Sequence, residues 1–516
     1  MKWITATDLG RWGESIPART ELPGLVGDLI RATAEGITAF RFPSGDKGQV
    51  RGFDGHLLAG KGSTYVPEGR SYWEFGATKA QASKFGEDIG KRSDQVSEDD
   101  QKDVTFVFVT PQTWDKPQQK IEDAVKACRE ASRWKDVRYI DGVQLESWLD
   151  EAPAVAATHA RLTLRTKPQI GARSSEEFWE SYSGRFRVDL TEEVLLCERE
   201  EHAQQLLDHI KGRNGILTFT ADSPDEVIAF AVAAIRKASA EERLFLEART
   251  LIVDSEEAAF ELRAADKLAF LTRDRAVPHA GMLSRVGPTV VGVGYDQKRG
   301  NDNFLGNPSF HAMGKALATM EGISEDGGLM LARRAGRSVT ILARTIPRGA
   351  PENPAWLAEG RALVPSLLAG GWNGASDDDR RIVGMLTADG DYTRLEEALR
   401  PLCRTQDAPI DLFGDVWQMR SPVDAFVHLG HLITRADLER LERAVTEVFG
   451  TIVPEQEEDE PFSLSGRQDA GYSSWVRTGL STTLLHLAVL AEQANFSVAG
   501  VRPQHLVNDL ISGLPG

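Results

Sequence analysis

The sequence predicts an α/β protein of more than one compact unit. An α/β layer domain comes first, a second α/β unit with a parallel sheet follows, and the C-terminal region is mostly helical. Three observations carry this. The chain has 516 residues, more than one core accommodates, so three or four units are expected. Short apolar runs bounded by turn signals, such as DVTFVFVTP at 103–111 and LIVDS at 251–255, alternate with amphipathic helical stretches. Beyond about residue 355 helical spacing dominates, as in YTRLEEALRPL and DLERLERAVTEVFG.

The first unit, residues 1–160, opens with LPGLVGDLIRATAEG. Leu22, Leu25, Val26, Leu29 and Ile30 fall at helical spacing and Gly36 is a stop signal. ITAFRFP alternates as a strand does. The turn-rich loop SGDKGQVRG follows, then FDGHLLAG and SYWEFG. Residues 77–92 read as a helix, 103–111 as a buried strand and IEDAVKACREASRW as an amphipathic helix. VRYIDGVQLESWLDEAP reads as a strand, a turn and a helix. Residues 161–185 are polar and mixed and read as a linker. In the second unit, 186–345, GILTFTADSPDEVIAFAVAAIRKA is a strand, a loop and a helix. Ser223 is its cap, Pro224 stands in the first turn, and acids lie near the positive helix end. Strands at LIVDS, KLAFLTRD and GPTVVGVG suggest a parallel sheet with crossover helices. Ser324 is expected to cap a helix. Residues 346–425 contain IDLFGDVWQMRSP, a candidate small strand pair, and 426–516 are helical apart from the acidic loop PEQEEDEPF at 454–462.

Bulk properties bound the function. A net charge of −17 opposes a protein that coats nucleic acid, because phosphate binding needs clustered Lys and Arg. It leaves room for a nuclease with a local basic patch, and Lys79, Lys84, Lys91 and Arg92 form such a cluster, although a solvated helix face is the more common explanation. Three cysteines, Cys128, Cys197 and Cys403, without a CxxC pair, oppose a disulfide framework or zinc ribbon and suit a reducing cytoplasm. No run of eighteen apolar residues occurs, so no membrane span is expected. The N-terminus lacks the apolar core of a signal peptide.

The stretch from Gly52 to Lys79 carries the chemistry. GHLLAGKG lies one residue from a phosphate-cradling loop, but Gly62 stands where the magnesium-binding Ser/Thr belongs, and STYVPEGR opposes the helix such a loop needs. The second pattern is Asp54, then Glu74, then Lys79. Two acids on neighbouring strands of a hairpin can share one Mg²⁺ that keeps waters, with a cation beside the attacked phosphate. Glu21 or Glu35 on the first helix is a further candidate ligand. The structural alternative is a turn cap at Asp54 and an ion pair at Glu74.

Gly52-Phe-Asp54-Gly55 and Trp73-Glu74-Phe-Gly76 with Lys79, on a helix–strand–strand–strand–helix–strand order, resemble the PD-(D/E)xK restriction-endonuclease-like fold. More narrowly, they resemble the Mrr-type nuclease domains of bacterial antiviral proteins. The resemblance implies Asp54 and Glu74 as metal ligands for Mg²⁺ or Mn²⁺, Lys79 as the catalytic cation, and DNA as substrate. The family's Glu-x-Lys lysine is Gly76 here, so Lys79, or Lys84 from the next helix, has to reach back in its place.

Residues 186–516 resemble STAND-type NTPases in order of elements. Cys197-Glu-Arg199-Glu precedes a helix, Asp254 ends a Walker B-like strand, and Arg337 lies at a lid position. The expected fold class is therefore α/β: a restriction-endonuclease-like domain, a P-loop-NTPase-like parallel-sheet domain and a winged-helix-like, then helical, C-terminal region. The phosphate loop is replaced by Thr220-Ala-Asp222-Ser223-Pro-Asp225-Glu226, which lacks a lysine and carries acids at the anion site. No ATP hydrolysis is expected. The resemblances together imply a metal-dependent DNA endonuclease effector with a degenerate STAND-like regulator, cytoplasmic, homo-oligomeric, in anti-phage defence, with a phage protein as trigger and no membrane partner. The alternative is a non-catalytic sensor or scaffold whose nuclease-like domain only binds nucleic acid or protein.

Overall fold

The computed structural model describes residues 3–45, 52–165, 172–265, 267–297, 303–450 and 471–491. The acidic loop at 454–462, residues 492–516 of the expected helical region, 166–171 of the expected linker and 46–51 of the turn-rich loop lie outside the described residues. The chain is of mixed α/β class. It divides into two compact units, one of Met1–Ser181, Glu201–Thr218 and Ile228–Gly292, the other of Tyr182–Glu200, Phe219–Val227 and Val293–Gly516.

The first unit opens with a five-stranded sheet of β1 (Glu35–Arg41), β2 (Gly55–Lys61), β3 (Gly69–Phe75), β4 (Val104–Val109) and β5 (Asp136–Ile140), ordered as in the chain. The pairs β1/β2 and β2/β3 are antiparallel, while β3/β4 and β4/β5 are parallel. The parallel pairs follow from their connections, since Gln81–Gln95 and Gln118–Glu130 are crossover helices. Strand β4, VTFVFV, is buried at every position because both faces are covered. Val107 and Val109 join Leu22, Leu25, Val26, Leu29 and Ile30 of the helix Ala18–Thr33. Val104, Phe106 and Phe108 join Phe85 and Ile89 of the helix Gln81–Gln95. The predicted helices and strands of residues 18–151 all appear, with ends shifted by a few residues.

The expected linker is corrected in part. Ala172–Ser174 form β6 and pair antiparallel with β8 (Thr250–Val253), and Ser175–Ser183 form a helix. The polar composition reflects an edge strand and a half-buried helix. Strands β8, β9 (Ala269–Thr272) and β10 (Pro288–Gly294) pair in parallel, as expected from their apolar runs.

In the second unit, the end of β7 (Gly215–Ala221) pairs in parallel with β11 (Asn303–Phe304), through Phe219↔Asn303 and Thr220↔Phe304. Ser324 caps the helix Glu325–Arg334, as its sequence suggests. IDLFGDVWQM forms an antiparallel hairpin, β13 (Ile410–Phe413) and β14 (Val416–Met419), turning at Gly414 with φ +62°. A third strand, β12 (Gly371–Asn373), pairs with β14 and stacks Trp372 on Trp417 at 5.8 Å.

The helix Ser474–Ala491 crosses the start of β12 at Gly479, where a Cβ would lie 2.2 Å from the Ala369 carbonyl oxygen and 2.5 Å from the Gly371 nitrogen. Backbone there cannot retreat without breaking the strand. Gly479→Ala is therefore expected to lower the thermal midpoint, by the equivalent of about 1–3 kcal/mol typical of an overpacked core. An unchanged midpoint in a thermal melt contradicts this packing.

Candidate functional site

The near-phosphate loop GHLLAGK is strand β2, buried on alternate residues and paired on both sides. No helix starts after it, so it has no helix N-terminus to offer a phosphate.

Asp54 stands one residue before β2, and the pair Gly55↔Trp73 next to it sets it across from Glu74 of β3. Cross-strand neighbours share a face of the sheet. Asp54 Oδ2 accepts a hydrogen bond from the Phe75 backbone N–H at 3.1 Å. Strand alternation sends Trp73 into one core and Glu74 to the other face, under the helix Gln81–Gln95. The Glu74 side chain is 5% exposed, and its Oε1 accepts from Arg92 Nε at 2.6 Å. Arg92 also donates to the Gly52 carbonyl and to Gln95 Oε1, and its guanidinium lies 4.9 Å from the Phe53 ring centre. One arginine thus ties Gly52 and Phe53, just ahead of Asp54, to Glu74.

Lys84, Asp88 and Arg92 are spaced four apart and share one helix face. Lys84 Nζ donates to Asp88 Oδ1 at 2.6 Å, while Asp88 Oδ2 is buried with no hydrogen-bond partner. A Cβ built on Gly76 would lie 3.2 Å from Lys84 Cγ and 2.5 Å from Phe108 Cζ. The Lys84 stem therefore runs over the space a side chain at 76 would claim. Lys79 behaves differently. It is 73% exposed and pairs with Glu14 at 2.9 Å. Of the expected trio, Asp54 and Glu74 come together, while Lys84 lies over Gly76, pairs with Asp88 and is near enough to lower the Asp54 carboxyl. Arg92 is buried, so the solvated-face explanation of the basic cluster fails for it, while Lys79 and Lys91 are exposed. Asp88 escaped the sequence reading, although an acid with bases four residues to either side was a visible signal.

Electrostatics sets the character of the cluster. Burial raises the Asp54 carboxyl, opposed by the Phe75 N–H and Arg92. Burial pushes Glu74 up to about 7; the Arg92 hydrogen bond pulls it down, and the charges of Asp54 and Asp88 push it further up. Burial is the larger effect at both acids and outweighs the Arg92 ion pair, and the neighbouring carboxylates add to it.

The remaining ligand candidates lie elsewhere. Glu35 is the first residue of β1, not part of the helix, and pairs with Lys61 at 3.1 Å. Glu21 lines a cavity of about 410 Å³ with Asp8, Arg11 and Trp12. Among the described residues, no three His, Cys, Asp or Glu side chains converge as a metal-binding group. Mg²⁺ needs fewer, since one or two carboxylates with waters suffice. Asp54 and Glu74 are of the type that could fill that role; Asp88 Oδ2 beside them is buried with no hydrogen-bond partner.

The NTPase-like positions are engaged with the chain's own groups. Asp254, after β8, accepts from Arg173 at 3.0 Å and Arg273 at 3.4 Å. Arg337, with φ +65°, stacks its guanidinium 4.7 Å from the Phe310 ring centre. Ser223 caps the helix Pro224–Lys237 through the Glu226 N–H at 3.3 Å, as expected. Arg199 Nη2 donates to Glu226 at 2.8 Å and Arg420 Nη2 to Asp222 at 2.6 Å. Cys128, Cys197 and Cys403 are free thiols. No helix among the described residues is long and apolar enough to cross a membrane.

No protein-family model and no curated protein matches the chain.

The raised Glu74 makes a stability prediction. Its folded value of about 7 lies above its ordinary 4.5, so the folded state holds the proton more tightly. The resulting stabilisation is complete below about pH 4.5 and is lost as pH rises through about 7, on the order of 3 kcal/mol. Urea unfolding of the wild type is expected to show this decline, and Glu74→Gln to flatten most of it, leaving a smaller slope from Asp54. Parallel pH profiles for the two proteins would place the titration elsewhere.

Proposed function

We propose that the chain is a metal-dependent DNA endonuclease. The observation that carries this reading is the register that sets Asp54 across from Glu74, with the stem of Lys84 over Gly76, two residues beyond Glu74. A cation close to two strand-borne carboxylates is the minimum set for phosphodiester hydrolysis. Lys79 is set aside as the catalytic cation in favour of Lys84.

Asp54 and Glu74 would hold Mg²⁺ or Mn²⁺. A bound divalent ion lowers the pKa of its water and offsets charge on the phosphate oxygens. Lys84 would place its ammonium by the attacked phosphate, where it steadies the negative charge as water adds to phosphorus and one P–O ester bond breaks. Arg92 keeps Glu74 from drifting toward the neutral acid and anchors the chain ahead of Asp54. Exposed Lys79 and Lys91 would meet the DNA backbone.

Residues 186–516 would act as a degenerate STAND-like regulator that brings copies of the chain together, in cytoplasmic anti-phage defence and in answer to a phage protein. Order of elements supports this part, by analogy of fold. One observation favours the second reading, a non-catalytic domain that binds nucleic acid or protein: Arg92 already occupies one oxygen of Glu74.

Plasmid DNA with Mg²⁺ or Mn²⁺ separates the two. Asp54→Ala, Glu74→Ala and Lys84→Ala are each expected to cut at least about 100-fold more slowly, as for loss of one transition-state contact. Lys79→Ala should stay within about threefold, as a residue outside the reacting centre does. Equal cutting by all variants would assign the activity to a contaminant, and loss in Lys79→Ala with an intact Lys84→Ala would return the role to Lys79. The divalent-ion concentration that half-saturates cutting is expected to fall between about pH 6 and 8 as Glu74 ionises, since a ligand carboxyl must lose its proton. A half-saturating concentration that does not change with pH would remove Glu74 from the cation site.

A further inference from the structure

Glu21, a candidate metal ligand by sequence, lies in the wall of the cavity of about 410 Å³ in the first unit. A cavity of about 300–1,000 Å³ is of the size that takes a small molecule. Three stretches of chain line it. The helix Ala6–Gly13 gives Arg11 and Trp12, the chain after it and the start of the helix Ala18–Thr33 give Ser15 and Glu21, and the chain leaving the helix Pro153–Leu162 gives Leu164 and Arg165. The third stretch is fastened to the second. His159 Nε2 hydrogen-bonds Asp28 Oδ2 at 2.9 Å, and its Nδ1 hydrogen-bonds the hydroxyl of Thr163, another wall residue, at 2.7 Å. A wall set in this way by the fold spares a ligand the cost of ordering it.

The polar groups of this wall are not satisfied by the wall itself. Trp12 Nε1, Ser15 Oγ and Glu21 Oε2 are buried and have no hydrogen-bond partner among the described residues. Buried polar atoms normally find one, and each that does not costs stability. Here three such atoms belong to lining residues between positions 12 and 21 of one cavity. The two arginines of the wall, Arg11 and Arg165, are exposed. Asp8, the other acid of the lining, is already engaged, since its Oδ2 accepts from the Thr5 N–H at 3.0 Å and the Thr5 hydroxyl at 2.7 Å. The cavity therefore offers two guanidiniums, an indole N–H, a hydroxyl and one carboxylate oxygen, with Leu164 as apolar surface. A molecule that answers all of them carries an anionic group for the arginines, an acceptor for Trp12 and an N–H donor for Glu21. Inorganic phosphate would set an anion against Glu21, and a plain amine would leave both arginines without a partner.

We propose that this cavity binds a nucleoside monophosphate. A nucleobase carries N–H donors and acceptors side by side on the edge of a flat ring, and the phosphate supplies the anion. The base edge is read by Trp12, Ser15 and Glu21, and the phosphate is held by Arg11 and Arg165. The site goes beyond the nuclease reading and does not depend on it.

Isothermal titration calorimetry of the full chain, in EDTA so that no metal sits at Asp54 and Glu74, tests the site. The probes are the monophosphates of adenosine, guanosine, cytidine and uridine, with the bare nucleosides and inorganic phosphate beside them. At least one monophosphate is expected to bind, about tenfold or more tightly than its nucleoside and than phosphate, because each lacks half of the contacts. Arg11→Gln and Arg165→Gln, both at exposed positions, are each expected to weaken that monophosphate about tenfold. Trp12→Phe and Glu21→Gln are each expected to weaken it about threefold to tenfold and to leave the weak binding of phosphate unchanged. A thermal melt of each variant checks its fold; should Trp12→Phe fail to fold, Ser15→Ala and Glu21→Gln read the same base edge. Absence of heat with every monophosphate would overturn the proposal and leave a cavity filled by water. Phosphate binding as tightly as the nucleotides, or wild-type affinity in Arg11→Gln and Glu21→Gln, would overturn it as well.

Discussion

The buried ion pair between Glu74 and Arg92 is the interaction on which the rest of the Asp54–Glu74–Asp88 cluster depends. A carboxylate as enclosed as Glu74 is costly unless paired, and removing one partner of a buried pair leaves the other charge stranded. Arg92 meets this need while performing two further tasks, since it also holds the Gly52 carbonyl and stacks on Phe53. The segment ahead of Asp54 is therefore fixed by the same guanidinium that fixes Glu74. The position of one acid follows from the position of the other, and both follow from a helix residue eighteen positions beyond Glu74. The pair does not neutralise the cluster, because Asp54 and Asp88 press on the same carboxyl.

Gly76 is best understood together with this helix. On a strand, the residue two beyond Glu74 shares its face, and a lysine there would stand beside the carboxylate. Phe108 leaves no space for a side chain at that point. With glycine at that point, the stem of Lys84 runs over the strand end. Backbone geometry and charge placement are exchanged here: a missing side chain on one element makes room for a longer one from its neighbour. The same helix supplies Phe85 and Ile89 to the core below. Its packing is thus set by apolar contacts, which hold Lys84, Asp88 and Arg92 in place over β3.

Local features were legible in the sequence and long-range ones were not. The VTFVFV run, the Leu22–Ile30 spacing, the Ser223 and Ser324 caps and the Gly414 hairpin each depend on neighbours in the chain, and each appears as read. The facing of Asp54 and Glu74 was legible because a hairpin register relates them simply. The choice between Lys79 and Lys84 was not, because it turns on Phe108 from another strand and on Glu14 from the first helix. Ala172–Ser174 was missed for a similar reason. Three polar residues become a strand only because β8 offers an edge eighty residues away.

Several acids in this chain are held by arginines, and the comparison among them sets the N-terminal cluster apart. Asp254 has Arg173 and Arg273. Asp407 and Asp424 share Arg344, although burial still pushes Asp407 up to about 6. Both oxygens of Glu226 are engaged, one by Arg199 and one by Thr340, so its charge is enclosed by donors on each side. Such acids hold elements together and leave no valence for a visitor. The N-terminal cluster differs in one respect. Asp88 keeps a buried oxygen without a donor while two more carboxyls, both raised by burial, lie within reach of its charge. Buried polar atoms normally find partners, and Asp88 is an exception beside two carboxyls that burial has raised. An acidic chain can hold many carboxylates without binding metal; what sets this cluster apart from the arginine-held acids is the buried Asp88 oxygen that no donor reaches.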